Sequence, residues 1–250
     1  MIRALLVFAM LLAPEQGMFW SQNLPSGLVG WWKVGEGSGS VAADSSGGGN
    51  AGTWTGTAGG TSGYYSSGRL GPWAGYFDGS TDSIQLPSAT GIQSFSSGFS
   101  VAMWAYPATV APTVNKTLVG NINAAASGWS IIETTAGLWQ ARCYGCNNGG
   151  NVTMSSATAV TANSWYFVVF TWGANGSYGK GALYVNGALA ASSNTNASQV
   201  YVASSSATRI GRGYGFTGSP DYFQGRINDV RIYNRALSAS EIAQMYLVHN

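Results

Sequence analysis

Nine carboxylates, one histidine and two cysteines are the first residues to weigh for acid–base, nucleophilic or metal chemistry in this sequence. The histidine, His249, is the penultimate residue, a poor place to hold the imidazole of a Ser-His-Asp or Cys-His device. Glycoside hydrolysis needs two carboxylates roughly 5 to 9.5 Å apart across the scissile bond. No Glu-x-Asp-x-x-Glu cluster occurs, and Glu36, Asp44, Asp78, Asp82, Asp229 and Glu241 fall in turns, at a helix cap or within structural motifs. With Glu15 near the N-terminus, Glu133 and Asp221 are left as a pair that only a fold could bring together. The expectation is a chain without catalytic activity. A Gly-x-x-x-x-Gly-Lys phosphate cradle is missing as well.

Cys143-Tyr144-Gly145-Cys146 has no other Cys or nearby His to complete a zinc site. Its surroundings also lack the helical period of a βαβ redox unit, so a local disulfide between Cys143 and Cys146 is expected. Sequons at Asn115, Asn151, Asn175 and Asn196 are compatible with export.

The remaining chemistry is that of sugar recognition. Ten tryptophans stand in a chain otherwise rich in Gly, Ser, Thr, Ala and Asn. Trp104, Tyr106, Trp129, Trp139 and Tyr144 are candidates to offer ring faces to a pyranose, with Arg142, Asn147 and Asn148 as polar partners for its hydroxyls. For any single tryptophan, burial in the core is the more common fate. Arg209, Arg212, Arg226, Arg231 and Arg235 crowd the C-terminal strands and read as solvated or structural. A net charge of +2 and 8% charged residues give no reason to expect a nucleic-acid or acidic-membrane partner.

The elements that must position these residues are short and β-rich. Apolar runs recur between Gly, Ser and Asn clusters at Leu28 to Trp32, Gly75 to Phe77, Phe99 to Tyr106, Trp129 to Glu133, Trp165 to Trp172, Ala182 to Val185 and Gln224 to Tyr233, the rhythm of a β-sandwich. Both faces of Phe99 to Tyr106 are apolar, which places that strand centrally in a sheet. Asn186-Gly187 predicts a type I′ hairpin. Residues 47 to 68, rich in glycine, read as a loop and a candidate binding or variable one. Ser238 and Glu241 form a capping box, with Leu237 and Ile242 as a hydrophobic staple, for a helix from Ala239 to about Tyr246.

The apolar run Ala4 to Ala13, after Arg3, has the length of a signal-peptide core and is too short to span a bilayer. Pro14 and Glu15 make a poor cleavage site, so a retained assembly arm or a start at Met18 are the alternatives to a secretion signal. Residues 1–26 are accordingly set apart as segment and linker, and 27–250 as one domain.

From Leu28 to about Tyr246 the chain resembles the laminin-G-like domains of the concanavalin A-like lectin/glucanase superfamily. The resemblance rests on Leu28-Val29-Gly30-Trp31-Trp32, Gly35-Glu36-Gly37-Ser38-Gly39, Ala43-Asp44-Ser45-Ser46-Gly47, Asn50-Ala51-Gly52-Thr53, Tyr76-Phe77-Asp78-Gly79 and Phe99-Ser100-Val101-Ala102-Met103-Trp104. It continues through Leu183-Tyr184-Val185-Asn186-Gly187 and Ile210-Gly211-Arg212. The most specific part is the run from Gly225 to Ser238, which contains Asn228-Asp229-Val230-Arg231-Ile232-Tyr233.

The resemblance implies an all-β, two-sheet antiparallel jelly-roll β-sandwich with a short C-terminal helix. It also implies a structural Ca²⁺ held by Asp44, Asn50 and Asp229 with backbone carbonyls, and Ile227, out of phase with Val230 and Ile232, predicts a bulge at Asn228-Asp229 that frees one such carbonyl. The family often carries two acids before Val-Arg-Ile-Tyr, and here the first is Asn228. The expected function is a non-catalytic, extracellular or surface-displayed module that binds a glycan or glycoprotein in adhesion. The alternative is a structural display protein, such as a virion decoration, appendage or filament subunit, docked to an assembly partner or to its own copies through residues 1–26.

Overall fold

The computed structural model describes residues 24–248 apart from 89, 96, 124–126, 148–149, 176–177, 195–205 and 215–219. Residues 1–23, most of the proposed arm, lie outside the described residues. The first strands are β1 (Leu28–Trp32), β2 (Val41–Ala42), β3 (Gly52–Thr55), β4 (Tyr65–Ser67), β5 (Trp73–Asp78) and β6 (Ser83–Gln85). A one-turn helix α1 (Thr90–Gln93) precedes β7 (Gly98–Pro107), β8 (Lys116–Gly120), β9 (Gly128–Glu133), β10 (Leu138–Asn147) and β11 (Gly150–Ala159). Then come β12 (Tyr166–Asn175), β13 (Tyr178–Val185), β14 (Ala188–Asn194), β15 (Arg209–Ile210), β16 (Arg212–Tyr214), β17 (Pro220–Tyr222), β18 (Gln224–Tyr233) and helix α2 (Ala239–Val248).

These strands form the expected two-sheet sandwich. The first sheet runs β14-β13-β12-β7-β18-β5-β4, with β1 also on β18. The second runs β11-β10-β9-β8-β15-β6-β3-β2, with the β16–β17 hairpin attached to β8. Strand β7 lies between β12 and β18, as its two apolar faces require. Phe99, Val101 and Met103 enter the core between the sheets. Ala102 and Trp104 join Phe167, Val169, Tyr233, Leu237, Ile242 and Met245 in a second cluster beneath α2.

Local chemistry sets the boundaries. The Ser238 N–H donates to Glu241 Oε2 at 2.8 Å, and the Glu241 N–H to Ser238 Oγ at 3.3 Å, which closes the capping box. Asn186 and Gly187 have φ of 51° and 79°, as a type I′ turn demands. Residues 47 to 68 depart from expectation: they hold β3 and β4, because Trp54 and Tyr65 are buried there and their polar neighbours alternate outward. Among the described residues no helix is long and apolar enough to cross a membrane.

Candidate functional site

The alternation of β10 builds one face. Trp139, Ala141 and Cys143 belong to the core between the sheets. Gln140, Arg142 and Tyr144, one residue out of phase, therefore point away from it. Their partners in the ladder extend this face to Ser130 and Ile132 on β9 and to Thr153 and Ser155 on β11. Thr117 on β8 continues it. The β16–β17 hairpin lies against β8: Tyr222 pairs with Thr117, and a Cβ on Gly213 would collide with the Thr117 side chain. Arg142 and Tyr144 form a buried floor, while Gln140, Arg212, Asp221 and Tyr222 are half-buried and Thr153 and Ser155 exposed.

Cys143 and Cys146 are disulfide-bonded, as expected, and both side chains lie in the core. The bond spans the irregular end of β10, where Gly145 has φ of 77°, and so holds Tyr144 to the opposite face.

The polar groups are tied together. Arg142 Nε donates to Gln140 Oε1 at 2.5 Å, and Gln140 Nε2 to Ser155 Oγ at 2.7 Å. The Arg142 guanidinium also hydrogen bonds the Tyr144 hydroxyl. Burial lowers the Arg142 pKa, against the opposing influence of Tyr144 and Asp221. Burial likewise pushes the Tyr144 hydroxyl and the Asp221 carboxyl up, with Arg142 the leading opposing charge in both cases. Arg212 stands 5.3 Å from the Tyr222 ring centroid. Gln140, Arg142 and Tyr144 thus form a hydrogen-bonded polar row, with Asp221 near enough to feel the Arg142 charge and the Arg212–Tyr222 pair on the far side of β8, a set able to read hydroxyls next to an apolar face.

Of the residues singled out in the sequence, Arg142 and Tyr144 meet here. Asn147 ends β10, and Asn148 lies outside the described residues. Trp129 and Trp139 are corrected to core residues, because their position in the alternation turns them between the sheets, where each is at most 1% exposed. Trp104 is covered too: Tyr246 of α2 stacks 5.8 Å from its ring, Phe167 lies at 5.3 Å and Arg69 at 4.7 Å. Tyr106 lies on the first sheet, half-buried between Trp165 at 5.3 Å and the Arg226 guanidinium at 3.7 Å. Gln140, Asp221, Tyr222 and Arg212 were missed as site residues. The i, i+2 spacing of Gln140, Arg142 and Tyr144 was a readable signal; nothing local announced Asp221 or Tyr222, which reach the face only through the hairpin.

The expected calcium ligands do not fit a cation. Asp44 Oδ1 accepts from the N–H groups of Trp31 at 3.0 Å and Ser46 at 2.8 Å, and Oδ2 from that of Asn50 at 2.9 Å. Burial pushes the Asp44 carboxyl up, but these donors outweigh it and hold it below the ordinary range. The Asn50 side-chain amide donates to the Val29 carbonyl at 3.2 Å. Asp229 is ion-paired to Arg231, with Oδ2 at 2.9 Å from a guanidinium nitrogen. The register does shift between Asn228 and Arg231, so the expected bulge is present. Among the described residues no group of three or more His, Cys, Asp or Glu side chains is placed to hold a metal ion.

Glu133 continues the inward alternation of Trp129 and Ile131 and is 1% exposed, with no hydrogen-bond partner at Oε1. Burial pushes its carboxyl from 4.5 up to about 7, against the pull of Lys116. The folded state therefore holds this proton more tightly than the unfolded chain does. Its contribution to stability is complete below about pH 4.5 and is lost as pH rises through about 7. Glu133→Gln is expected to flatten that fall and to raise the melting midpoint at pH 8 above that of the wild type. Parallel pH profiles of the two melting midpoints would refute this assignment.

The family model for the concanavalin A-like lectin/glucanases superfamily, Laminin_G_3, matches residues 78–243. None of the curated proteins matches the chain in sequence. Among solved structures, the binding domain of Paraclostridial Mosquitocidal Protein 1 superposes with a TM-score of 0.66 at 19% identity, over 88% of this chain and 52% of that one. Domain 4 of AbnA, an extracellular GH43 arabinanase from Geobacillus stearothermophilus solved in complex with arabinotriose, gives 0.57 at 22% identity, over 88% and 98%. The binding domain of botulinum neurotoxin DC in complex with SialylT gives 0.64 at 14% identity, over 90% and 52%. At these identities the likeness is one of fold. The chain spans about half the length of the toxin binding domains it matches.

Proposed function

Because the chain belongs to the laminin-G-like family of the concanavalin A-like lectin/glucanases superfamily, we propose that it is a non-catalytic module that binds a glycan or glycoprotein outside the cell or on a displayed surface. The observation that carries this reading is the outward row Gln140, Arg142 and Tyr144. A core-facing strand needs none of these groups on its other face. Hydrogen bonds among them and to Ser155 hold these groups in place, so the row meets a ligand's hydroxyls preorganised. The complex of AbnA domain 4 with arabinotriose shows that a structure of this fold can take a saccharide.

The non-catalytic reading is supported by where the two leading acids fall. Glu133 is turned inward and covered, so it does not flank an open cleft with Asp221, as a hydrolytic pair must. Non-catalytic binding then rests on hydrogen bonds and ring contact alone.

A glycan array probed with the full chain tests the proposal. Dose-dependent binding to a defined glycan is expected, falling at least about tenfold in Arg142→Gln, since a hydrogen bond to a charged group contributes about 1.5–3 kcal/mol. Circular dichroism of the variant must match the wild type for the loss to be assigned to the site. A silent array with a folded chain would overturn the proposal and favour the display reading.

A further inference from the structure

We infer that Arg231 occupies the structural role of a divalent cation at the junction of β1, the Asp44 loop and β18, so that this domain folds and holds its stability without calcium. The junction is built of hydrogen bonds and one ion pair. Asp229 Oδ1 accepts from Trp31 Nε1 at 2.6 Å and from Arg231 Nε at 3.1 Å, and Oδ2 lies 2.9 Å from Arg231 Nη2. Trp31 in turn gives its backbone N–H to Asp44, so one residue links both acids that the sequence offers as metal ligands. The Arg231 guanidinium stands 4.9 Å from the Trp31 ring centroid, as does the Lys33 ammonium. Trp32 Nε1 donates to the Asn50 carbonyl at 2.7 Å, which ties the Asp44 loop to β1.

Charge and strain agree with this reading. Asp229 and Arg231 are 3% and 1% exposed, so the carboxylate's counter-charge is supplied inside the fold. A calcium ion requires six to eight oxygens at about 2.3–2.6 Å. Asp229 Oδ1 already takes two nitrogen donors and Oδ2, without a hydrogen bond, lies 2.9 Å from a guanidinium nitrogen, so entry of the ion would drive a second positive charge against a buried guanidinium. Asp229 also takes a φ of 59°, unusual for a residue with a Cβ, within the bulge that skips register between Asn228 and Arg231. Asp229 and Arg231, two residues apart, lie on the same side of the strand, where the guanidinium meets the carboxylate.

The test is a thermal melt of the full chain, first stripped with EDTA and then returned to millimolar calcium chloride, with elemental analysis of the purified protein. The expected result is one midpoint in both buffers and no stoichiometric calcium. A midpoint that falls in EDTA and recovers with calcium, but not with sodium chloride of equal ionic strength, would overturn the inference. Arg231→Lys supplies a second measurement. It keeps the charge but reaches the carboxylate with a single ammonium, so a lowered midpoint that remains unmoved by calcium is expected. Calcium-dependent recovery of the Arg231→Lys midpoint to the wild-type value would show a usable metal site and overturn it.

Discussion

Replacing Asp229 by alanine is expected to cost about 3–5 kcal/mol of unfolding free energy, because it leaves the 1%-exposed Arg231 with a buried and uncompensated charge. The same change also removes the acceptor of the Trp31 indole N–H and loosens β1 from β18. The cost comes mainly from the group left behind, and a double-mutant cycle separates the two effects. Arg231→Met in the Asp229→Ala background should restore part of the loss, since the orphaned charge is removed as well. Urea unfolding of the wild type, both single variants and the double variant gives the coupling directly. Additive losses would show that the pair is not one electrostatic unit.

Asn228→Asp is the second large effect, and its direction runs against the family pattern, in which an acid often occupies this position. Asn228 is 1% exposed, and its amide joins three segments. Oδ1 accepts from the N–H groups of Arg69 at 3.2 Å and Leu70 at 2.8 Å. Nδ2 donates to the Lys33 carbonyl at 2.7 Å and, more weakly, to that of Trp73 at 3.5 Å. A carboxylate keeps the acceptor and loses both donors, while adding a buried negative charge next to Asp229. A loss of at least about 2 kcal/mol at neutral pH is expected. Burial raises the pKa of the introduced carboxyl, so stability should recover in part as pH falls and its O–H replaces one donor. Denaturant titrations at pH 5 and pH 8 check both parts, and a variant as stable as the wild type at pH 8 would refute the role assigned to the amide.

These two neighbours show where sequence reading is strong and where it stops. The run from Gly225 to Ser238 is legible as a β-strand followed by a helix cap, and its bulge follows from Ile227 falling out of phase with Val230 and Ile232. The partners of Asn228 are not legible, because Leu70 is 158 residues away and nothing in either segment marks the other. The same limit applied to calcium. Asp44, Asn50 and Asp229 are sound oxygen ligands by residue type, but whether a carboxylate faces a cation or an N–H depends on what the sandwich packs against it. Here it packs Trp31 and Arg231 there.

Residue order by itself determined the two-sheet β architecture, the central place of Phe99 to Tyr106, the Asn186-Gly187 hairpin, the Cys143–Cys146 bond and the capped C-terminal helix. Each of these depends on turn chemistry, capping or alternation acting over a few residues. Tertiary structure alone decided which face of each strand is inside. Alternation separates Trp139 from Arg142 without saying which of the two meets the other sheet. That choice fell to sheet order, which turned Trp129 and Trp139 into the core, laid α2 over Trp104, and set Asp221 and Tyr222 along β8, with Asp221 near enough to feel the Arg142 charge. The physical reason is that burial is settled between elements distant in sequence, after the short-range rules have already been satisfied.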